Sequence, residues 1–425
     1  MELLAALALA ANLAVPGRAN ATPSIAADRD FVIVAWSAAL ESGSTDIYAA
    51  ASRDGGRVFG PPVRVNDAIG DARVNGEQPP RVTIVRGTGP SASPAVVIVW
   101  TTKGASGTRL VQARSTDGGR TFARATTVPG SDAAGNRGWH AATADRRGRI
   151  DVLWLDHREL ASDPAIAMSH HDHASTGAAA ARGEKPDGVA MAQKSKLMFA
   201  SLEAAGAGAA PTAVTGGVCY CCKTALAAGA DGAIYAAWRH VYPGNLRDIA
   251  FAVSRNGGRT FAPPIRVSED KWMLEGCPDD GPAMVVDATN RIHIVWPTVI
   301  NDPEATIALF YAVSDDGRTF GPRRRLHTSS TSIPDHARMA VNREGRAVIV
   351  WEDSTAVRRR IVFRYTADGG RTLSAVQTLS TAIKAWEPDI AVAPDGSFLI
   401  AWHEEQFPNV KTAVQTVRVG ASGSR

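Results

Sequence analysis

Apolar and polar positions alternate along this chain in short runs, and the runs come in pairs. Seven times an alternating apolar stretch leads through a polar or glycine-containing turn into a second apolar stretch that ends in tryptophan. The units read PSIAADRDFVIVAW, PPRVTIVRGTGPSASPAVVIVW, HAATADRRGRIDVLW, CKTALAAGADGAIYAAW, GPAMVVDATNRIHIVW, DHARMAVNREGRAVIVW and EPDIAVAPDGSFLIAW. A period of two belongs to strands with one face on a core, and paired runs around a tight turn belong to hairpins. The closing residues are Trp36, Trp100, Trp154, Trp238, Trp296, Trp351 and Trp402, spaced by 64, 54, 84, 58, 55 and 51 residues. That spacing suits a four-stranded propeller blade with generous loops. The expected fold is therefore all-β, a propeller of seven four-stranded blades.

A second pattern follows most of the hairpins. It reads SRDGGRVF (52–59), STDGGRTF (115–122), SRNGGRTF (254–261), SDDGRTF (314–320) and TADGGRTL (366–373). Asp or Asn bonds nearby backbone amides, glycine takes a positive φ, and the closing Phe packs between sheets. These residues shape a turn and carry no chemistry of their own.

The last unit is followed by a single further strand, NVKTAVQTVRV, so its outermost strand is expected from the N-terminal LAALAL segment, closing the ring and removing sheet edges. Residues 1–21 admit a second reading. An apolar run ending in Ala19, Asn20 and Ala21 resembles a secretory signal, although Glu2 stands where a positive residue belongs. The expected organisation is one propeller domain over 22–420, with an Ala/Gly-rich insertion at about 161–193 that accounts for the long 84-residue spacing. No later segment offers 18 uninterrupted apolar residues, so no membrane-spanning helix is expected.

Composition narrows the functional classes. The chain has 425 residues, 45% hydrophobic and 21% charged, far from the make-up of disordered chains. Its 46 basic and 42 acidic residues are interspersed, which argues against a nucleic-acid partner.

In an antiparallel four-stranded blade, the turns joining strands one to two and three to four share one face, so the short Asp/Gly turns mark the back. The front collects the loops after each hairpin tryptophan and those leading into each new blade, where propeller ligands usually bind. The front loops hold all three tryptophans outside the hairpin series, Trp139, Trp272 and Trp386, and eight of the ten histidines: His140, His157, His170, His171, His173, His240, His336 and His403. Trp139, His140, His157, His240, Asp280, His336, Trp386 and His403 are accordingly candidate ligand-binding residues, for a carbohydrate or a protein partner.

The four cysteines sharpen this picture. Cys219, Cys221 and Cys222 precede blade 4, and Cys277 holds the matching place before blade 5, so all four should be neighbours. Cys277 could bridge to one of the cluster, which would suit a secreted or periplasmic protein. Alternatively the thiolates, with His170, His171 and His173 from the insertion, could hold a zinc or copper ion. Inert buried thiols are the third reading.

The Asp/Gly turns, with their Ser-x-Asp-x-Gly-x-x-aromatic pattern, resemble the Asp-box, or bacterial neuraminidase repeat, of the sialidase superfamily. The resemblance implies a sialidase-like propeller, although sialidases have six blades, which keeps a six-bladed ring with an extra hairpin as the alternative. Asp boxes also occur in propellers without sialidase activity. Sialidases grip a carboxylate with three arginines and use a tyrosine activated by a glutamate, with an aspartate as acid/base. Their Phe/Tyr-Arg-Ile-Pro motif is missing here, and the first blade begins TPSIAADRD. Residues that could stand in are Arg239, Arg247 and Arg338 for the carboxylate, Tyr242 as nucleophile, Glu387 or Glu404 as base, and Asp156 or Asp279 as acid. The sequence favours an exported binding or scaffold protein, with an exo-glycosidase of sialidase type as the alternative.

Overall fold

The computed structural model describes residues 8–85, 93–145, 147–162, 188–202, 210–274, 278–300, 306–327, 329–406 and 410–419. Seven four-stranded antiparallel sheets surround a central channel. Blade 1 contains Ala19–Asp28, Phe31–Ala39, Thr45–Ser52 and Val63–Arg64. Blades 2 to 6 open with the strands Arg81–Val85, Arg137–Ala144, Ala225–Ala228, Ala283–Val286 and Ile333–Val341, and each continues outward in chain order.

Blade 7 closes the ring. Its first three strands are Ala385–Val392, Phe398–Gln406 and Val410–Val419, and the fourth is the N-terminal strand Ala8–Leu13, antiparallel to the third. A parallel bridge from Ala19 to Thr412 then joins blade 7 to blade 1. Among the described residues this strand starts at Ala8, within the LAALAL stretch.

The hairpin tryptophans form the core between sheets. Six of them, from Trp36 through Trp351, are at most 1% exposed, and Trp402 is nearly as buried. Five of their indole nitrogens find polar partners at the blade tops: Trp36 on Asn20, Trp154 on Asp156, Trp238 on His240, Trp296 on Asp270 and Trp402 on Glu404. A large apolar ring with one polar donor suits a buried position that ends next to a loop.

The Asp/Gly turns lie on the back as expected. In the first, Asp54 Oδ1 accepts from the amides of Arg57 and Val58, and Ser52 Oγ accepts from Gly56 N at 2.9 Å while donating to Asp54 at 2.6 Å. Gly55 and Gly56 there have φ of 76° and 88°, closed to most side chains. The same bonds recur at Ser115–Asp117–Gly119 and Thr366–Asp368–Gly370. No helix among the described residues is long and apolar enough to cross a membrane.

Candidate functional site

Each innermost strand enters the channel from the front, and in four blades the first turn is kinked. Register shifts fall between Ala21 and Ser24, Gly138 and Ala141, Asp335 and Arg338, and Trp386 and Asp389. At each shift one non-glycine residue has positive φ: Thr22 (52°), Trp139 (51°), His336 (49°) and Glu387 (52°); Asp279 (46°) does so at the entry of blade 5. A bulge of this kind re-aims one side chain, and strain in non-glycine backbone gathers at functional sites. Here it turns the His336 and Glu387 side chains toward Gly76, in the loop that leads into blade 2.

The channel below is lined by matching residues of all seven blades: Ser24, Arg81, Ala141, Thr224, Pro282, Arg338 and Asp389, around a cavity of about 200 Å³. Arg338 Nε lies 3.7 Å from Asp389 Oδ1, and the other Asp389 oxygen accepts from Ile25 N at 2.9 Å.

At the mouth the charges interlock. The Lys223 ammonium of blade 4 is 3.1 Å from Glu77 Oε1 and also pairs with Asp280 of blade 5. On the other side, His336 Nδ1 lies 3.4 Å from Glu352 Oε2 and 3.5 Å from Asp335 Oδ2. Glu387 Oε2 accepts from Thr22 N and lies 3.4 Å from His403 Nδ1, and the Trp386 ring stacks on His403 at 5.1 Å and 12°.

These neighbours set the protonation states. Burial, followed by the negative charge of Asp280, raises the Asp335 carboxyl to about 8, so near neutrality it is an acid with a proton to give. Burial opposes charge on His336, but the bond to Glu352 and the nearby Asp335, Glu387 and Asp280 carboxylates outweigh it and raise the imidazole to about 10. His336 is therefore an imidazolium held among carboxylates. Asp335, His336 and Glu352 offer ligand atoms within 4.8 Å of one another, yet a charged imidazole already fills the role of a cation there.

The lead-in loop of blade 2 lies across this mouth, a contact that no sequence motif announces. Lys223 N donates to Glu77 Oε2 at 2.5 Å. A Cβ on Gly76 would sit 2.5 Å from His336 Nε2 and 2.6 Å from Glu387 Oε1, and one on Gly138 would meet Gln78 Oε1. Residues 76–78 thus touch blades 3, 4, 6 and 7. The available signal is NGEQPP, a turn-forming run placed at a blade entrance.

Several expected residues serve elsewhere. Arg239 is buried and gives its guanidinium to the carbonyls of Arg247, Asp280 and Pro297, with its face 4.8 Å from the Trp272 ring. Arg247 bonds Leu274 O and the Cys219 sulfur. Of the three, Arg338 alone faces the channel, so they do not form a carboxylate clamp; long side chains at strand ends satisfy loop carbonyls instead. Tyr242 has Arg266 over its ring at 3.8 Å and His240 beside it at 4.6 Å, with burial raising its hydroxyl. Among the described residues no glutamate hydrogen-bonds that hydroxyl. Asp156 is buried between Arg137 and Arg158, and Glu404 accepts from Trp402.

Among the histidines, His140 is buried with Nε2 3.1 Å from Val99 O, and burial lowers it to about 3. His240 is lowered to about 4 by burial, and His157 lies against Trp139 at 4.9 Å. Asp279 is exposed at the blade 5 entry, next to the buried Asp280. His170, His171, His173 and Cys277 fall outside the described residues. Cys219, Cys221 and Cys222 do cluster, with Cys219 Sγ 3.8 Å from Cys221 Sγ and 3.7 Å from Cys222 Sγ.

No family model and no curated protein matches the sequence. Solved structures do resemble the fold. An ulvan lyase of a polysaccharide lyase family, bound to a GlcA and Rha3S fragment, superposes with a TM-score of 0.58 at 10% identity, over 96% of this chain and 95% of that one. The α-L-arabinofuranosidase of Fusarium graminearum, in complex with an iminosugar inhibitor, gives 0.52 at 12% identity over 96% and 97%. A Hadza microbial sialidase gives 0.46 at 14% identity over 88% and 74%. The protein is a seven-bladed, all-β propeller of the architecture found in glycoside hydrolases and polysaccharide lyases.

Proposed function

We propose that this protein binds a carbohydrate on its front face and cleaves it by acid/base chemistry at the channel mouth. The observation that supports this reading is the Asp335–Asp280 carboxyl pair. Two carboxyls that share a site cannot both ionise readily, so one keeps its proton near neutral pH, as a general acid requires. Asp335 is the more open of the two, its side chain 36% exposed against 7% for Asp280. It is the proton donor toward a glycosidic oxygen in this reading. Glu387, partly exposed and held by Thr22 N, is the opposing carboxylate, and the half-buried Trp386 offers a face for a sugar ring. The propeller architecture shared with enzymes that act on polysaccharides and arabinofuranosides is consistent with this class of substrate.

A binding role without cleavage is the second reading. It is favoured by the depth of Lys223, Glu77 and Glu352, each at most 6% exposed, which suits a structural seal. Release of reducing sugar from a panel of polysaccharides and aryl glycosides separates the two. Asp335→Asn should abolish release while leaving glycan binding by calorimetry intact. Binding with no release from any substrate by the unaltered protein defeats the enzymatic reading.

A further inference from the structure

Beside the channel mouth, two thiols stand apart from the acid/base cluster. Cys219 and Cys222 are both free and buried, in a Cys-x-x-Cys spacing, with their sulfurs 3.7 Å apart. They are therefore in contact without being bonded, in an arrangement where a disulfide needs only a small closing movement. The Arg247 guanidinium lies against the Cys219 sulfur, with Nη1 3.2 Å away. Arg247 is fully buried, and its second terminal nitrogen has no hydrogen-bond partner among the described residues. A buried cation aimed at one sulfur of a pair stabilises that sulfur as a thiolate and disfavours a metal ion at the same place.

We infer that Cys219 and Cys222 are a reversible dithiol/disulfide couple, with Cys219 the attacking thiolate and Cys222 the resolving thiol. The two sulfurs are distinguished by their surroundings. The hydrogen bond from Cys222 and the charges of Arg247 and Arg239 bring Cys219 down to about 7 against the effect of burial, whereas burial and the neighbouring Cys219 push Cys222 well up.

The oxidant is a low-molecular-weight disulfide. Cys219 thiolate attacks one of its sulfurs, forming a mixed disulfide and expelling one thiolate. Cys222 then gives up its proton, its sulfur attacks Cys219 Sγ, and the second thiolate leaves. Starting from the Cys219 thiolate, the protein loses two electrons and the single Cys222 proton, and the small disulfide becomes two thiolates, one of which can take up that proton. Val189, Ala192 and Tyr220 pack over the cluster, so exchange requires local opening. Closure acts on the mouth through the chain itself, because Cys222 directly precedes Lys223, whose ammonium joins Glu77 to Asp280.

The full-length protein, equilibrated across ratios of reduced to oxidised glutathione, acid-quenched, unfolded and maleimide-labelled, gives the test. Chymotrypsin cutting after Tyr220 separates Cys219 from Cys221 and Cys222, so a bond between the two parts appears as a linked peptide pair. The expected result is a linked pair that forms and disappears reversibly in the unaltered protein and persists in Cys221→Ser. It should be absent from Cys219→Ser and Cys222→Ser. Failure of the unaltered protein to give the linked pair at any ratio overturns the inference, as does its loss in Cys221→Ser or its persistence in Cys222→Ser. The unaltered protein alone decides the first outcome, whatever the variants do to folding.

Discussion

The Lys223 ammonium lies 3.1 Å from the Glu77 carboxylate, with both groups buried and the two residues 146 positions apart in the chain. Lys223 also pairs with Asp280, so one cation serves two carboxylates from blades 2 and 5. Removing it leaves two buried negative charges facing each other. Lys223→Met is expected to destabilise the protein by about 3–5 kcal/mol, the usual cost of breaking a buried ion pair from one side. The double variant Lys223→Met/Glu77→Gln should recover part of that loss. Denaturant midpoints of the two variants check it, and equal midpoints would show that the pairing carries no coupling.

Gly76 has no room for a side chain, since a Cβ would press on His336 Nε2 and Glu387 Oε1 together. Gly76→Ala should lower stability by about 1–3 kcal/mol, as overpacking does. It should also displace the imidazole among the carboxylates, so the proposed glycan cleavage should fall further than the unfolding midpoint explains. Gly232 is the control: its φ is +82° and an added Cβ would meet nothing within 4 Å, so Ala there costs only backbone strain.

Stability should decline as the solution becomes alkaline. Asp335 is raised from 3.8 to about 8, so the folded state binds more protons than the unfolded one across that window and stability falls as pH rises through it. His336 is raised from 6.5 to about 10, so its stabilising charge is fully present below 6.5 and lost as pH rises through 10. Melting temperatures of the unaltered protein and of Asp335→Asn should converge at acid pH and separate between about pH 4 and 8, the variant holding steadier. Parallel curves would contradict the assignment.

Trp386 stacks on His403 and keeps part of its ring open. Trp386→Ala should weaken the proposed glycan binding about fivefold to tenfold, equivalent to about 1–1.4 kcal/mol for a lost aromatic platform. Titration calorimetry with an oligosaccharide that the unaltered protein retains would measure it. Unchanged affinity would move the sugar away from blade 7.

Ala8–Leu13 supplies the outer strand of blade 7. Deleting residues 1–13 should expose the edge of Val410–Val419, lower the melting temperature and promote association, because an unpaired strand edge recruits other edges. Light scattering alongside thermal unfolding reports both effects. A monomeric, equally stable truncated chain would show that the N-terminal strand does not serve closure.

Much of the fold is legible in the sequence because its causes are local. Alternation of period two shows which side of a strand is buried, so the seven hairpins, their buried tryptophans and the Ser/Thr–Asp–Gly turns can be read from adjacent residues. The gathering of Cys219, Cys221 and Cys222 follows from their adjacency. Lys223, Glu77 and Gly76 escape such a reading because nothing near them in the chain marks them. Arg239 and Arg247 mislead it because a front-face position does not say whether a guanidinium meets a ligand or a loop carbonyl.

The sequence by itself determined the repeating unit, the alternation of inside and outside along each strand, and the chemistry of the turns, since each depends on a few neighbouring residues. Tertiary structure alone decided which side chains meet at the channel mouth. Ring closure brings residues from blades 2, 4, 5, 6 and 7 together there, and their charges settle only once burial and mutual electrostatics act on all of them at once.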